Sequence, residues 1–467
     1  MRSKKYMECD EIKKITSPLT EGDKYSSGPA VFQAPDGSLY TENSTRHCIT
    51  YGITGSGKSV SGSVTELIGD LKAGESVIAI DPKGELYEKT KAHIPENYKK
   101  VVINLTEPRK SDRFNVFSLI VDNLTSDSSN DLTSGFEMFE SLVETIMDKG
   151  NRVRSQDPFW DDSAQIMMRG IFLAAVTFLK KSQISPVSIY DLANSDPTKS
   201  ENDEDGRRFR YDSSPTLKNR LTRIRNSIKG NGIVAQTART NMDSICSYDE
   251  KVIRDILAVF NSHLGKFIGS GDVRRLHLKD DVNIGEIDGT TPYAVYIIIP
   301  IHTHAYDKLA GVIVNQFAQQ FFRAANKCPN NTLPIRVNFL LEEFGTIGHT
   351  IPIISELITA GRSYGIRVHL IMQSYTQLIN LFGPAKANTL ASNCGTTIFF
   401  RTLDCDTYIH YGALTGMRSI NYGDRIVQEP FITQDTLSSL RTHQAIIMID
   451  NNIFVSMLPI YCDVWPE

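Results

Sequence analysis

The sequence predicts an α/β protein, with a parallel sheet covered by helices and interrupted by an all-helical insertion. Three observations predict it. Residues 52–59 read Gly-Ile-Thr-Gly-Ser-Gly-Lys-Ser, a complete phosphate-binding loop of the kind that joins a strand to a helix. From Thr45 to about Phe117, short apolar strands alternate with helical stretches, the pattern of a parallel sheet with helical crossovers. Between about Leu132 and Asp280 strand signals are scarce and apolar residues recur at helical spacing, before strands return near Pro292.

The loop comes first because its chemistry is the most specific. Gly52, Ile53, Thr54, Gly55, Ser56, Gly57, Lys58 and Ser59 match Gly-x-x-x-x-Gly-Lys-Ser at every fixed position. Backbone N–H groups of such a loop wrap a nucleoside triphosphate, and its glycines allow positive φ and close approach. Lys58 is expected to reach the β- and γ-phosphates, and the Ser59 hydroxyl to ligate Mg²⁺. Arg46–Tyr51 before it is strand-like, and Val60–Leu71 after it reads as a helix whose N-terminus faces the anion.

Residues 1–44 are polar and turn-rich, a lead-in with some strand. Residues 45–130 form the first part of the nucleotide-binding domain, 131–285 the inserted all-α domain, and 286–467 the second part. Strands are expected at His47–Tyr51, Ser76–Ile80, Lys100–Leu105, Tyr293–Ile299, Arg336–Leu341, Arg367–Met372, Thr396–Arg401 and Gln444–Ile449. Outside the insertion, helices are expected at Leu86–His93, Ala305–Ala325 and Ile353–Arg362. Within it they are expected at Phe136–Met147, Ser163–Lys181, Leu217–Ile228 and Glu250–Leu264, with Ser195–Pro215 as an exposed loop.

Further site candidates stand at strand ends. Val337–Phe344 reads Val-Asn-Phe-Leu-Leu-Glu-Glu-Phe, a buried strand running into two carboxylates. Glu342 is placed on the metal side and Glu343 as the general base that orients or deprotonates water. Gln373 ends the strand Arg367–Met372, where an amide can sense the γ-phosphate; alone it reads equally as a strand cap. Arg362 follows a helix and is either an arginine finger for a neighbouring subunit or a cation at a helix C-terminus. Asp81, in Asp-Pro-Lys-Gly-Glu, is a turn residue or a support to the site.

Bulk properties narrow the class. The chain of 467 residues has a formal charge of −4, which excludes a globally basic nucleic-acid binder but leaves local basic surfaces open. Its seven cysteines are scattered, odd in number and never spaced C-x-x-C, which argues for reduced thiols in a cytosolic compartment. Ile166–Leu179 and Ala294–Pro300 are too short to span a bilayer, and Met1–Lys14 lacks an apolar leader core. A basic segment, Arg207–Lys229, carries Arg220, Arg223 and Arg225 around an apolar stripe of Leu217, Leu221, Ile224 and Ile228. That face either tracks DNA phosphates or balances the acids at Glu201–Asp205.

Taken together, the ordered motifs resemble the coupling-protein ATPases of conjugative type IV secretion systems. The likeness runs over roughly residues 45–465. It is carried by Gly52–Ser59, Asp81–Glu85, Phe114-Asn115, Phe159-Trp160, Leu340–Gly345, Gly361–Ser363, Gln373–Leu378, Asn393–Phe400 and Pro430–Leu440. The resemblance implies a RecA-like P-loop NTPase domain with an inserted all-α domain, assembling as a homo-hexamer, although an isolated chain could be monomeric. It implies ATP and Mg²⁺ at the site, and DNA, a relaxase or relaxosome, and type IV secretion channel components as partners. By motif position it makes Glu343, Arg362 and Gln373 catalytic, with Arg362 acting in trans, and Ser59 and Glu342 the metal side.

Two departures stand out: the acidic pair is Glu-Glu where the family usually has Asp-Glu, and no N-terminal membrane anchor is evident. The expectation is therefore a cytoplasmic protein recruited to the inner face of the membrane by a partner. A cytosolic ring-shaped DNA motor without a channel is one alternative. A hydrolytically weak, nucleotide-bound recruitment module is the other.

Overall fold

The computed structural model describes residues 6–147, 158–195, 216–269, 271–300, 302–422 and 425–466. They form two compact units. One comprises Met1–Val102, Ile287–His302 and Phe317–Glu467; the other comprises Ile103–Glu286 and Thr303–Gln316.

A nine-stranded sheet organises the first unit. Its strands in chain order are β1 (Cys48–Tyr51), β2 (Ser76–Asp81), β3 (Lys99–Asn104), β4 (Tyr293–Ile298), β5 (Val337–Leu341), β6 (Ile366–Met372), β7 (Thr396–Phe399), β8 (Gln444–Ile449) and β9 (Asn452–Met457). In space they run β9-β8-β7-β1-β6-β5-β2-β4-β3. Strands β7, β1, β6, β5, β2 and β4 pair in parallel, whereas β8 and β9 add to the β7 edge antiparallel. The parallel strands are buried on both faces, which is why β4 reads as a continuous apolar run, whereas β5 and β6 also carry the buried polar residues Asn338, Arg367 and His369. Register aligns Tyr51 with Met372 and Phe399, so the C-terminal ends of β1, β6 and β7 lie side by side.

On one face, Val64, Leu67, Ile68 and Leu71 of the helix Val64–Lys72 pack against Val77, Ala79, Ala294, Tyr296, Leu340 and Ile371. Under this helix lies a buried polar seam. Asp70 takes the Arg367 guanidinium at 2.9 Å and the Gly28 N–H at 2.7 Å. Glu66 lies 2.6 Å from His369 Nδ1, whose Nε2 is 2.7 Å from Thr50 Oγ1. Buried charges of this kind are held only because each has a partner. The seam fastens the helix after the phosphate loop to β6 and β1.

The lead-in is not peripheral. Ala30–Gln33 and Leu39–Thr41 form a small antiparallel sheet with Ser17–Pro18. Val31 and Phe32 share a buried cluster with Cys48, Ile398, Ile447 and Phe454. The Met7 N–H donates to the Ile453 carbonyl at 3.0 Å, and the Gln33 N–H to Ser456 Oγ at 3.1 Å, so the lead-in touches the outer strand β9 at these two points. Val31 and Phe32 supply the apolar side chains on this side, while Ala30 packs with Leu67 and Ile68 of the helix Val64–Lys72.

The second unit contains the helices Ser118–Leu124, Ser129–Ile146, Pro158–Phe178, Pro186–Asn194, Leu217–Asn226, Ile233–Cys246, Glu250–Ile268 and Asp272–Leu276. Phe172 is its hub, with ring centroids 4.6 Å from Phe117 and 4.0 Å from Phe139. A Cβ on Gly170 would come within 2.8 Å of Met242 Sδ, so glycine lets the helices Pro158–Phe178 and Ile233–Cys246 close on each other. This unit starts at Ile103 rather than 131 and also takes in Thr303–Gln316. Hydrogen bonds inside it account for the earlier start: Asn115 Nδ2 donates to the Ile184 carbonyl, and Gln316 Nε2 to the Val116 carbonyl. Most of the expected loop Ser195–Pro215, with Arg207, Arg208 and Arg210, lies outside the described residues.

Candidate functional site

The phosphate loop leaves the C-terminal end of β1. Its Gly52 N–H donates to the Met372 carbonyl at 3.2 Å and its Ile53 N–H to the Arg401 carbonyl at 2.9 Å, which pins the loop to the ends of β6 and β7. Gly55 (φ +77°) and Gly57 (φ +105°) occupy the positive-φ region that side chains avoid. The turn Lys58–Ser63 that follows is π-helical before the α-helix Val64–Lys72 begins. Lys58 is buried and its Nζ donates to the loop's own carbonyls at Gly52 and Ile53. Burial lowers the pKa of this ammonium, while Glu342 and Glu343 pull it back up.

The acidic pair stands at the end of β5. Glu342 is buried, and its Oε1 accepts from Ser63 Oγ at 2.5 Å. Burial raises its pKa; Ser63, Lys58 and the neighbouring Ser59 hydroxyl act in the opposite direction. Glu343 is half-buried with φ +49° and ψ +36°, a left-handed backbone uncommon for a non-glycine residue and typical of constrained sites. Asp81, at the end of β2, caps the helix Glu85–Thr90 by accepting from the Tyr87 N–H at 2.9 Å. Burial pushes its carboxyl up to about 6, with Tyr87 and Leu86 N–H groups opposing and Glu342 adding to the rise. Ser59, Asp81, Lys83, Glu85, Glu342 and Glu343 border one cavity of 60 Å³.

A hydroxyl and a carboxylate with water completing the shell is a donor set that suits Mg²⁺, which keeps several waters. The buried lysine beside them suits a phosphate, and Ser56 Oγ, also buried in the loop, has no hydrogen-bond partner among the described residues. Residues 52–59, Glu342 and Glu343 thus fit a magnesium–nucleotide complex. No group of three or more His, Cys, Asp or Glu side chains placed to hold a metal by themselves occurs among the described residues.

Gln373 stands at the end of β6, between the loop strand and the acidic strand in the sheet. Its N–H donates to Gln377 Oε1 at 2.9 Å. Arg362 is exposed and lies before β6, at the opposite end of that strand from Gln373. It is close enough to His47, just before β1, to lower that buried imidazole, which burial first and Arg362 and Arg367 next hold at about 4. Lys58, Ser59, Glu342, Glu343 and Gln373 are therefore gathered at one edge of the sheet. Arg362 is not among them.

The basic helix forms over Leu217–Asn226 with Leu217, Leu221 and Ile224 buried. Arg220 Nη1 donates to the Ala193 carbonyl at 3.0 Å, and Arg225 forms an ion pair with Asp243 at 2.7 Å. Both thus have partners inside their own unit; Arg223 is exposed.

Three residues near the site carry no local motif that reveals their contacts: Ser63, bonded to Glu342; Gln377, bonded to Gln373; and His443, whose N–H donates to the Ser56 carbonyl at 3.0 Å. Gln377 lay within a stretch already singled out, but its role depends on the fold. A Cβ on Gly345 would come within 2.3 Å of Gln377 Oε1, so this side chain touches the turn after the acidic pair.

Solved structures share this architecture. Plasmid coupling protein TrwB in complex with ADP and Mg²⁺ is 13% identical, with a TM-score of 0.62 over 98% of this chain and 96% of that one. TrwB with the non-hydrolysable ATP analogue ADPNP matches at 13% identity and a TM-score of 0.62, over 95% and 94% of the two chains. VirB4 of Thermoanaerobacter pseudethanolicus matches at 12% identity and a TM-score of 0.52, over 95% and 98%. At these identities the likeness establishes the fold, a RecA-like P-loop NTPase with an all-α domain. No sequence match was found among curated proteins. The family model for type IV secretory system conjugative DNA transfer matches residues 5–452, nearly the whole length, and the chain belongs to that family.

Proposed function

We propose that this chain is an ATP-driven motor that recruits a relaxase–DNA substrate and moves it toward a type IV secretion channel. The observation that carries the reading is the convergence of Lys58, Ser59, Glu342, Glu343 and Gln373 at the C-terminal edge of one parallel sheet. Open α/β sheets bind ligands at that edge. The complexes of TrwB with ADP and Mg²⁺ and with ADPNP support ATP as the substrate here.

In this mechanism the loop N–H groups and Lys58 hold the phosphates, and Ser59 and Glu342 hold the metal. Mg²⁺ held by Ser59 and Glu342 would supply neutralisation of the charge that develops on the transferred phosphoryl group. Glu343 orients a water and takes its proton, and Gln373 contacts the γ-phosphate and carries its loss into β6. Arg362, at the far end of β6 from this chain's own loop, serves a neighbouring subunit's nucleotide in a ring, taken to be a hexamer.

ATP turnover by the purified chain, without DNA and with single- or double-stranded DNA, tests the proposal when run beside mass photometry. DNA-stimulated turnover in a ring-sized species is the expected result. Nucleotide binding without turnover, with or without DNA, would instead favour the recruitment module. No helix among the described residues is long and apolar enough to cross a membrane. Recruitment to the membrane by a partner is part of the proposal, and co-expression with transfer genes should then raise the membrane-bound fraction.

A further inference from the structure

His443 grips the outside of the phosphate loop with every polar group that reaches it. Its N–H donates to the Ser56 carbonyl at 3.0 Å, and its ring Nδ1 lies 2.8 Å from Ser61 Oγ. Its own carbonyl accepts from the Leu458 N–H at 2.9 Å, just past β9. A Cβ on Gly57 would come within 2.7 Å of Nδ1 and 3.1 Å of the His443 backbone nitrogen, so the loop and the imidazole are in direct contact. His443 itself has φ +66°, a conformation that Asn, Asp and His tolerate better than other side chains. It stands immediately before β8, so one residue joins the loop to the β8–β9 hairpin.

The geometry has a chemical consequence. In a trans peptide the C=O and the following N–H point in opposite directions. Holding the Ser56 carbonyl toward His443 turns the Gly57 N–H the other way, toward the concave side of the loop where a phosphate would sit. The Ser61 contact fixes the first turn after Lys58 and Ser59 in the same manner.

We propose that His443 is a positioning residue for nucleotide binding, presetting the phosphate loop through Ser56, Gly57 and Ser61. It makes nucleotide affinity depend on the β8–β9 hairpin. The inference rests on the reading of residues 52–59 as the nucleotide site.

The test measures Kd for MgADPNP by fluorescence titration, and kcat at saturating ATP, in full-length protein. Wild type, His443→Ala, His443→Asn, His443→Gly and Ser61→Ala are compared, with Lys58→Ala as the non-binding control. His443→Ala is expected to weaken binding about tenfold, the equivalent of one hydrogen bond, with kcat changed less than about twofold. His443→Asn, which tolerates positive φ and keeps a hydrogen-bonding side chain, should bind within about threefold of wild type. Ser61→Ala should add little further loss in the His443→Ala background.

If His443→Ala does not fold, His443→Gly keeps the backbone and loses the ring, and should bind more weakly than His443→Asn. Equal affinities for wild type, Ala and Gly variants would overturn the inference, as would a loss confined to kcat. A wild-type protein that binds no MgADPNP would overturn the nucleotide reading and this inference with it.

Discussion

Ser63 Oγ donates to Glu342 Oε1 at 2.5 Å, joining the turn after the phosphate loop to the end of the acidic strand. Both side chains are buried, so neither group has water to fall back on. The longer acid at position 342 is matched by this hydroxyl. Glu342→Asp withdraws the carboxyl by one methylene and leaves Ser63 without its partner, a cost of about 1–3 kcal/mol. The expected outcome is a higher Mg²⁺ requirement for turnover, read by metal titration and partly relieved in Glu342→Asp/Ser63→Ala. An unchanged requirement in Glu342→Asp would show that the pairing does not set the metal site.

Glu343→Gln should retain nucleotide binding and lose turnover by about 10²–10⁴-fold, because the amide cannot take a proton from water. Lys58→Ala should lose binding itself. Single-turnover hydrolysis beside equilibrium binding separates the two, and full turnover by Glu343→Gln would remove that residue from the base role.

Arg362→Ala should bind ATP normally and hydrolyse it poorly. Mixing it with Glu343→Gln protein should recover part of the activity, since some interfaces then pair an intact arginine with an intact acid. Absence of recovery, with subunit exchange demonstrated by labelled mixtures, would assign Arg362 a role within its own chain.

Gly345→Ala places a Cβ within 2.3 Å of Gln377 Oε1. Forcing these apart should cost about 1–3 kcal/mol, or else displace the Gln373–Gln377 bond and with it turnover. Gly345→Ala/Gln377→Ala should recover stability but not full activity. Thermal unfolding and ATPase assays on the same preparations measure both; a single variant as stable and active as wild type would refute the close approach.

Folding leaves His277 buried with no hydrogen-bond partner among the described residues for either ring nitrogen, and burial followed by Arg274 holds its pKa at about 4. The unfolded chain, titrating at about 6.5, binds more protons between those values, so stability is present above the unfolded pKa and falls as pH drops. Between about pH 7.5 and pH 5 this single group should cost about 2 kcal/mol. His277→Phe should reduce that dependence, the remainder being set by His47, which has the same sign, and by the raised carboxyls of Asp70 and Asp81, which have the opposite sign. Thermal unfolding across the range checks it, and an unaltered slope would exclude His277 as its source.

Much of the sheet was legible because its buried strands are short, predominantly apolar runs. Gln444–Ile449 was read to the residue, and β5 and β6 to within one. The helix Tyr375–Ser392 was not read, since Gly383 at φ +75° and Pro384 interrupt its period. The hairpin Met417–Tyr422 with Arg425–Pro430 was missed as well; its second strand is almost wholly exposed and lacks an apolar alternation to mark it. At the site, contiguous motifs gave Lys58, Ser59, Glu342 and Glu343. Ser63 and His443 act across 279 and 382 positions of sequence, distances over which no local pattern can report a contact.

The contacts that the lead-in makes with β9 bear on how the protein can be cut. A shortened version starting at the phosphate-loop strand looks natural from sequence, yet it would remove Met7 and Gln33 from the outermost strand and Val31 and Phe32 from the cluster with Phe454. A bare strand edge beside uncovered apolar side chains is a template for self-association. Such a fragment should be recovered as aggregate, and its inactivity would say nothing about catalysis.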